Sequence, residues 1–366
     1  MTDDVLEGFR DPVAARHLIE ALHEVSHTPV NFMEVCGTHT MSIAKNGLRD
    51  VMPPSVRLLS GPGCPVCVTA NADIDLAIEV GRQPGVVLTT FGDMMKVPGS
   101  YTSLASEKAD GRDVRVVYSP LDSLDLAEQL PDKHIAFLGV GFETTAPTVA
   151  LAIREAKRRG LTNWSALSLH KTVPGALLAL VNDPEVQING FILPGHVSTI
   201  IGLEPYRFLA EEYGVPGVIT GFEPVDVLQG IWMLAKQVAE GRSEIEIAYS
   251  RGVMPQGNPV AVAVIEEVFE PNDAEWRGMG LIPGTGLALR PEFADYDTRV
   301  RVPVTPPPTR EIKGCQCGDV LRGVILPFEC KLFGKGCTPE HPIGPCMVSS
   351  EGSCAAYYRY TDYGKA

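Results

Sequence analysis

The sequence has no apolar run approaching the ~18 residues a membrane-spanning helix needs, so nothing in it reads as a transmembrane segment. Positive charge is scarce: 31 Lys and Arg stand against 45 Asp and Glu, a formal charge of −14. A general nucleic-acid binder needs a basic stripe that releases phosphate counterions, and this balance argues against one. The local cluster "REAKRRG" at 154–160 reads as the solvated end of a helix. Nucleotide fingerprints are missing too. "GVGFET" at 139–144 lacks the third glycine of the dinucleotide pattern, and there is no P-loop. The beginning, "MTDDVLEGFRDP", is acidic and carries no apolar signal core, which points to the cytoplasm. In that reducing compartment the nine cysteines read as metal-binding or thiol chemistry before they read as disulfides.

What is present is an alternation. Helical spacing in "DPVAARHLIEALHEV" (11–25) precedes the strand-like "VNFMEV" (30–35), and further pairs follow as far as the helix "VDVLQGIWMLAKQVAEG" (225–241). Strands alternating with helices imply right-handed crossovers and parallel sheets. We read two α/β domains, 1–125 and 126–305, each with its own sheet, the sheets meeting near residues 120–134. The proline-rich "VPVTPPPTR" (302–310) reads as a linker to a small domain over 306–366 that holds six of the cysteines. A segment so composed cannot build an ordinary core and calls for metal or covalent staples.

Six unusual loops each follow a strand: "CGTHT" (36–40), "GPGCPVC" (61–67), "GDMMKVPGS" (92–100), "GFETTAP" (141–147), "PGHVS" (194–198) and "GFEP" (221–224). The C-terminal ends of parallel strands open on one side of a sheet, so these loops should converge on one crevice. Cys36, Cys64 and Cys67 would bring thiolate ligands or nucleophiles, and His39 could lower the Cys36 pKa or hold its proton. Asp93, Glu143, His196 and Glu223 add acid–base capacity, although Glu143 could equally cap the helix near Thr145. The CxxC of Cys64 and Cys67 fits a redox pair, or structural zinc with Cys36 and His39 as the remaining ligands. Farther on, six cysteines (Cys315, Cys317, Cys330, Cys337, Cys346 and Cys354) without a histidine at ligand spacing favour iron–sulfur over zinc. Four thiolates satisfy a [4Fe–4S] cluster, which leaves a pair free as a dithiol.

"CGTHT", "GPGCPVC", "TFGDMMKVPGS", "GFETTAP", "LPGHVS" and the terminal "FECKLFGKGCTPEHPIGPCMVSSEGSC", in this order, resemble the HypD family of [NiFe]-hydrogenase maturation factors. The resemblance runs from about residue 30 to the C-terminus. It implies two α/β domains plus an iron–sulfur domain. It also implies a scaffold, rather than a conventional turnover enzyme, that assembles the Fe(CN)2CO unit of the hydrogenase site. The partners it implies are the small chaperone HypC and the cyanide-donating factor HypE; a monomer that enters heteromeric complexes is the plainest expectation, though the sequence does not show it. Carried onto this chain, the iron-binding thiol falls on Cys36, with His39 beside it, and the second thiol pair on Cys64 and Cys67. Cluster ligands fall on Cys315, Cys330, Cys337 and Cys354, and Cys317 with Cys346 becomes the neighbouring dithiol. Glu143 is counted with the catalytic residues for the acid–base capacity of its loop, apart from the resemblance. The residues alone also admit an iron–sulfur-linked thiol/disulfide oxidoreductase, or a zinc-stapled interaction module.

Overall fold

A computed structural model describes residues 7–362. Two parallel sheets carry the fold. The first has five strands in the order β2 (Val56–Ser60), β1 (Val30–Glu34), β7 (Gly190–Pro194), β8 (Gly217–Thr220) and β9 (Ile245–Ile247). The second has four, in the order β4 (Val114–Val116), β3 (Val86–Thr90), β5 (His134–Gly139) and β6 (Trp164–Ser168). The α/β class expected from the alternation is the class observed.

The partition of strands is not the one expected. After β1 and β2 the chain leaves for four strands of the second sheet, then returns to complete the first with β7, β8 and β9. Residues 1–125 therefore do not form a sheet of their own, nor do residues 126–305. The reason lies in the strands β3, β6 and β7, which are buried at every position. Strands apolar on both faces show where a strand is but carry no mark of which neighbour it pairs with.

A third element was not foreseen. β10 (Phe269–Trp276) and β11 (Gly280–Leu289) form an antiparallel hairpin with an irregularity between Asn272 and Ala274. The proline-rich stretch, expected to be a linker, is a strap fixed at its end. Tyr101 Oη donates to Pro308 O at 2.7 Å, Arg310 N donates to Ser100 Oγ at 2.8 Å, and Asn71 Nδ2 donates to Arg310 O at 3.1 Å.

That strap delivers the cysteine-rich segment to the body of the protein. Among the described residues the segment has no strand; its helices Cys317–Leu321 and Ser353–Tyr360 are joined by 3-10 turns. All nine cysteines are free. Covalent staples are thus not what holds it. Val320, Leu321, Phe333, Met347, Ala355 and Tyr357 are buried, and most of them share one continuous core with Met33, Val35, Leu59 and Val68. The segment borrows the core of the first sheet instead of building its own.

Candidate functional site

β1 runs out at Glu34, and Cys36 is the last extended residue before the helix Gly37–Lys45. The neighbouring strand β7 runs into the helix Gly195–Ile201, which carries His196. Cys36 is fully buried, and its Sγ lies 3.5 Å from His196 Nδ1. The "GPGCPVC" loop follows β2, on the other side of β1, and its glycines explain themselves here. A Cβ on Gly63 would lie 2.0 Å from Cys36 N and 2.4 Å from Cys36 Cα, a backbone-on-backbone approach open only to glycine. Gly37 N donates to Gly63 O at 3.1 Å and Gly61 N to Glu34 O at 2.7 Å, so the two loops are laced together.

Burial dominates the electrostatics. It pushes the Cys36 thiol well above the ordinary thiol range, against the backbone N–H groups of His39 and Thr38, which favour the thiolate. Burial also pushes His196 down to about 4. The pair is therefore a neutral thiol facing a neutral imidazole at physiological pH. Beneath it Glu34, 0% exposed, accepts from Cys36 N at 3.2 Å and from Thr40 Oγ1. Desolvation raises Glu34 to about 7 despite those bonds.

From this loop a line of sulfur atoms leads away. Cys64 opens the short helix Pro65–Val68, and Cys67 within it is in hydrogen-bonding contact with the thiols of both Cys64 and Cys346. Cys346 in turn contacts Cys317, and Cys317 contacts Cys315 and Cys354. Hydrogen bonds from Cys317 and then Cys67 hold Cys346 down, to about 6, although it is fully buried.

Cys315, Cys317, Cys330, Cys337 and Cys354 line one small cavity with Leu332, Phe333 and Met347. Gly344 faces it: a Cβ there would sit 2.5 Å from the sulfurs of both Cys315 and Cys317. Ile343 N donates to Cys337 Sγ at 3.3 Å. Soft donors on all sides, apolar walls, a backbone bare of Cβ and an amide aimed at sulfur fit an iron–sulfur cluster. Among the described residues no three or more His, Cys, Asp or Glu side chains gather to hold a single metal ion.

Other expected site residues lie elsewhere. His39 does not turn its ring to Cys36. Nε2 is held by Gly221 O at 2.9 Å and Thr220 Oγ1 at 2.8 Å, and burial lowers the ring to about 3. The zinc set of Cys36, His39, Cys64 and Cys67 is thus not assembled, because one of its ligands is committed to the end of β8. Glu143 is buried and raised to about 7 by desolvation, but it accepts from Val173 N at 2.9 Å, at the start of the helix Val173–Val181. It caps that helix, not the one near Thr145. The buried Tyr206 hydroxyl is pushed up by desolvation, then by Glu143, and more weakly by Cys36. Asp93 is exposed, and Glu223 is taken by Arg10 at 2.6 Å; neither joins the buried site.

Two participants carry only weak marks in the sequence. Glu34 lies inside the strand "VNFMEV", although a carboxylate two residues before a cysteine at a buried strand end is a usable signal. Glu351 accepts from Thr38 Oγ1 at 2.8 Å and packs on Gly37, where a Cβ would meet its own Cβ at 2.5 Å. The C-terminal segment thus closes over the start of the Cys36 helix, a contact between residues 313 positions apart that no spacing could reveal.

Fold and site together define a cysteine-rich α/β protein whose thiols run unbroken from strand-end loops into a thiol-lined cavity. The profile of the family described as "Hydrogenase formation hypA family", HypD, matches residues 13–361. The hydrogenase maturation factor HypD of Rhodobacter capsulatus is 46% identical over 364 residues, covering 96% of this chain and 97% of that protein. That of Cupriavidus necator is 45% identical over 365 residues, covering 97% and 96%. That of Escherichia coli K12 is 42% identical over 363 residues, covering 97% of each. The chain belongs to the HypD family.

Proposed function

We propose that this chain is a hydrogenase maturation factor that serves as the scaffold on which the Fe(CN)2CO unit of a [NiFe] site is assembled, with the iron carried as cargo on Cys36. Family membership supports the process. The observation that carries the chemistry is the sulfur line Cys64, Cys67, Cys346, Cys317, which begins in a loop packed against Cys36 and ends in the thiol-lined cavity.

A thiol must lose its proton to ligate a metal. His196 Nδ1, 3.5 Å from Cys36 Sγ, is the group that takes it, and its ring is only partly buried, which gives the proton a way out. Low-spin iron with cyanide and carbonyl ligands suits a soft thiolate in a closed site. Release of cyanide from a thiocyanate, R–S–C≡N, breaks the sulfur–carbon bond and consumes two electrons. Carbon leaves as cyanide toward iron, and sulfur takes a proton. Cys64 and Cys67 supply both electrons by closing to a disulfide and shedding two protons. Cys346, whose thiol the neighbouring sulfurs hold below the usual thiol range, attacks the Cys67 sulfur as its thiolate and releases Cys64, and the exchange then passes to Cys317. Cys315, Cys330, Cys337 and Cys354 are the residues that would hold a [4Fe–4S] cluster, which supplies electrons one at a time. The partners on this reading are the small chaperone HypC and the cyanide donor HypE, and the compartment is the cytoplasm.

Metal analysis of the chain purified without oxygen tests this. The wild type should carry about four irons and matching labile sulfide per chain. Cys330→Ala should lose the sulfide, and Cys36→Ala should keep it while losing only iron acquired with HypC. Zinc in place of iron, with no sulfide, would overturn the reading.

A further inference from the structure

At the tip of the β10–β11 hairpin stands Arg277, only 9% exposed. Its backbone N donates to Val68 O and its Nε to Thr69 O, both at 2.9 Å, which ties it to the end of the CxxC helix. Nη2 is buried with no partner among the described residues. The next residue, Gly278, has φ +77° and meets the cysteine segment backbone to backbone: a Cβ there would lie 2.1 Å from Gly318 Cα. Arg277, Glu311, Cys315, Cys317 and Asp319 line a cavity of about 170 Å³.

A buried guanidinium needs a counter-charge. Neither carboxylate beside it supplies one. Asp319 is engaged by Arg322 at 3.0 Å, Glu311 faces Asn71 Nδ2 at 3.5 Å, and neither forms an ion pair with Arg277. The cavity that Arg277 lines is shared with Cys315, which becomes a thiolate once it holds metal. Four thiolates outweigh the charge of an oxidised cluster core, so the bound assembly is anionic, and reduction adds one more negative charge.

We propose that Arg277 is the buried counter-cation of the thiolate-bound cluster and that its charge favours the reduced state. This rests on the proposed [4Fe–4S] cluster. It makes Arg277 a positioning residue at the junction of the CxxC helix and the cluster, touching neither the iron cargo nor cyanide. Potentiometric titration of the full chain, followed by electron paramagnetic resonance, reads the effect, with iron and sulfide content measured on the same samples. Arg277→Gln should lower the reduced-to-oxidised ratio at a fixed potential about tenfold, a shift of 59 mV to more negative values for one electron. Arg277→Lys should stay near the wild type. Equal cluster content with an unshifted potential in Arg277→Gln would overturn the role of Arg277 and leave the cluster in place. Wild-type protein without iron and sulfide would overturn both. If Arg277→Gln does not retain a cluster, retention by Arg277→Lys supports the charge, and loss in both variants alike contradicts it.

Discussion

Glu143 and Glu34 are carboxyls whose burial raises them to about 7, while the unfolded chain titrates them near the usual carboxyl value. The sign of the linkage follows. Between the unfolded and the folded pKa the native state holds a proton that the unfolded chain has released, so stability is greatest below the carboxyl's ordinary range and falls as pH rises toward 7. For Glu143, each tenfold gain in proton affinity on folding becomes a loss of about 1.4 kcal/mol once the pH has passed 7. Glu143→Gln keeps the acceptor for Val173 N and removes the titration. Denaturant unfolding at pH 5 and pH 8 should therefore show a difference between the two proteins that grows at pH 8 in favour of the variant. An identical pH dependence in both would mean that Glu143 is solvated in the folded protein. Buried histidines titrate with the opposite sign, and comparison with the variant cancels them.

The elements that meet at the site do so through glycines. The "GPGCPVC" loop lies on Cys36 through Gly63, and the hairpin tip lies on the cysteine segment through Gly278. Gly63→Ala should cost several kcal/mol or displace the loop, since the intruding Cβ meets backbone that cannot move aside independently. Gly92→Ala, also in a loop after a strand, meets only a Val116 methyl at 3.7 Å and should stay within about 0.5 kcal/mol of the wild type. Thermal unfolding of the pair checks this, and equal melting temperatures would contradict the packing. Helix and strand positions are largely legible in the sequence because periodicity reports burial of an element's own faces. "APTVALAIREAKRR" and the helix Ala146–Arg159 coincide, and "SVRLLS" differs from β2 by one residue. The hairpin is not legible: its tip is "RGMG" and its strands carry Pro271 and Pro283, which mute the strand signal.

At the scale of the whole molecule, legibility fails where partners are distant in sequence. Cys36 is visible from its loop, but the histidine facing it is His196, 160 positions away, while the nearby His39 turns to β8. Proximity in sequence misleads because the bonds His39 makes, to Gly221 O and Thr220 Oγ1 at the end of β8, come from residues 182 and 181 positions away. The interleaving of the sheets has a functional consequence: it sets β7 beside β1, and so His196 beside Cys36, which two sequential domains would have kept apart. The C-terminal segment then closes the arrangement with Glu351 over Gly37 and Cys346 against Cys67.

The central claim, that the iron unit is built on Cys36, is tested most directly by infrared spectroscopy. The chain would be purified without oxygen together with HypC, beside a Cys36→Ala control. Bands in the cyanide and carbonyl stretching region should be present in the wild type and absent from the control. Persistence of those bands in Cys36→Ala, or their absence from wild-type protein with its cluster intact and partner bound, would contradict the account.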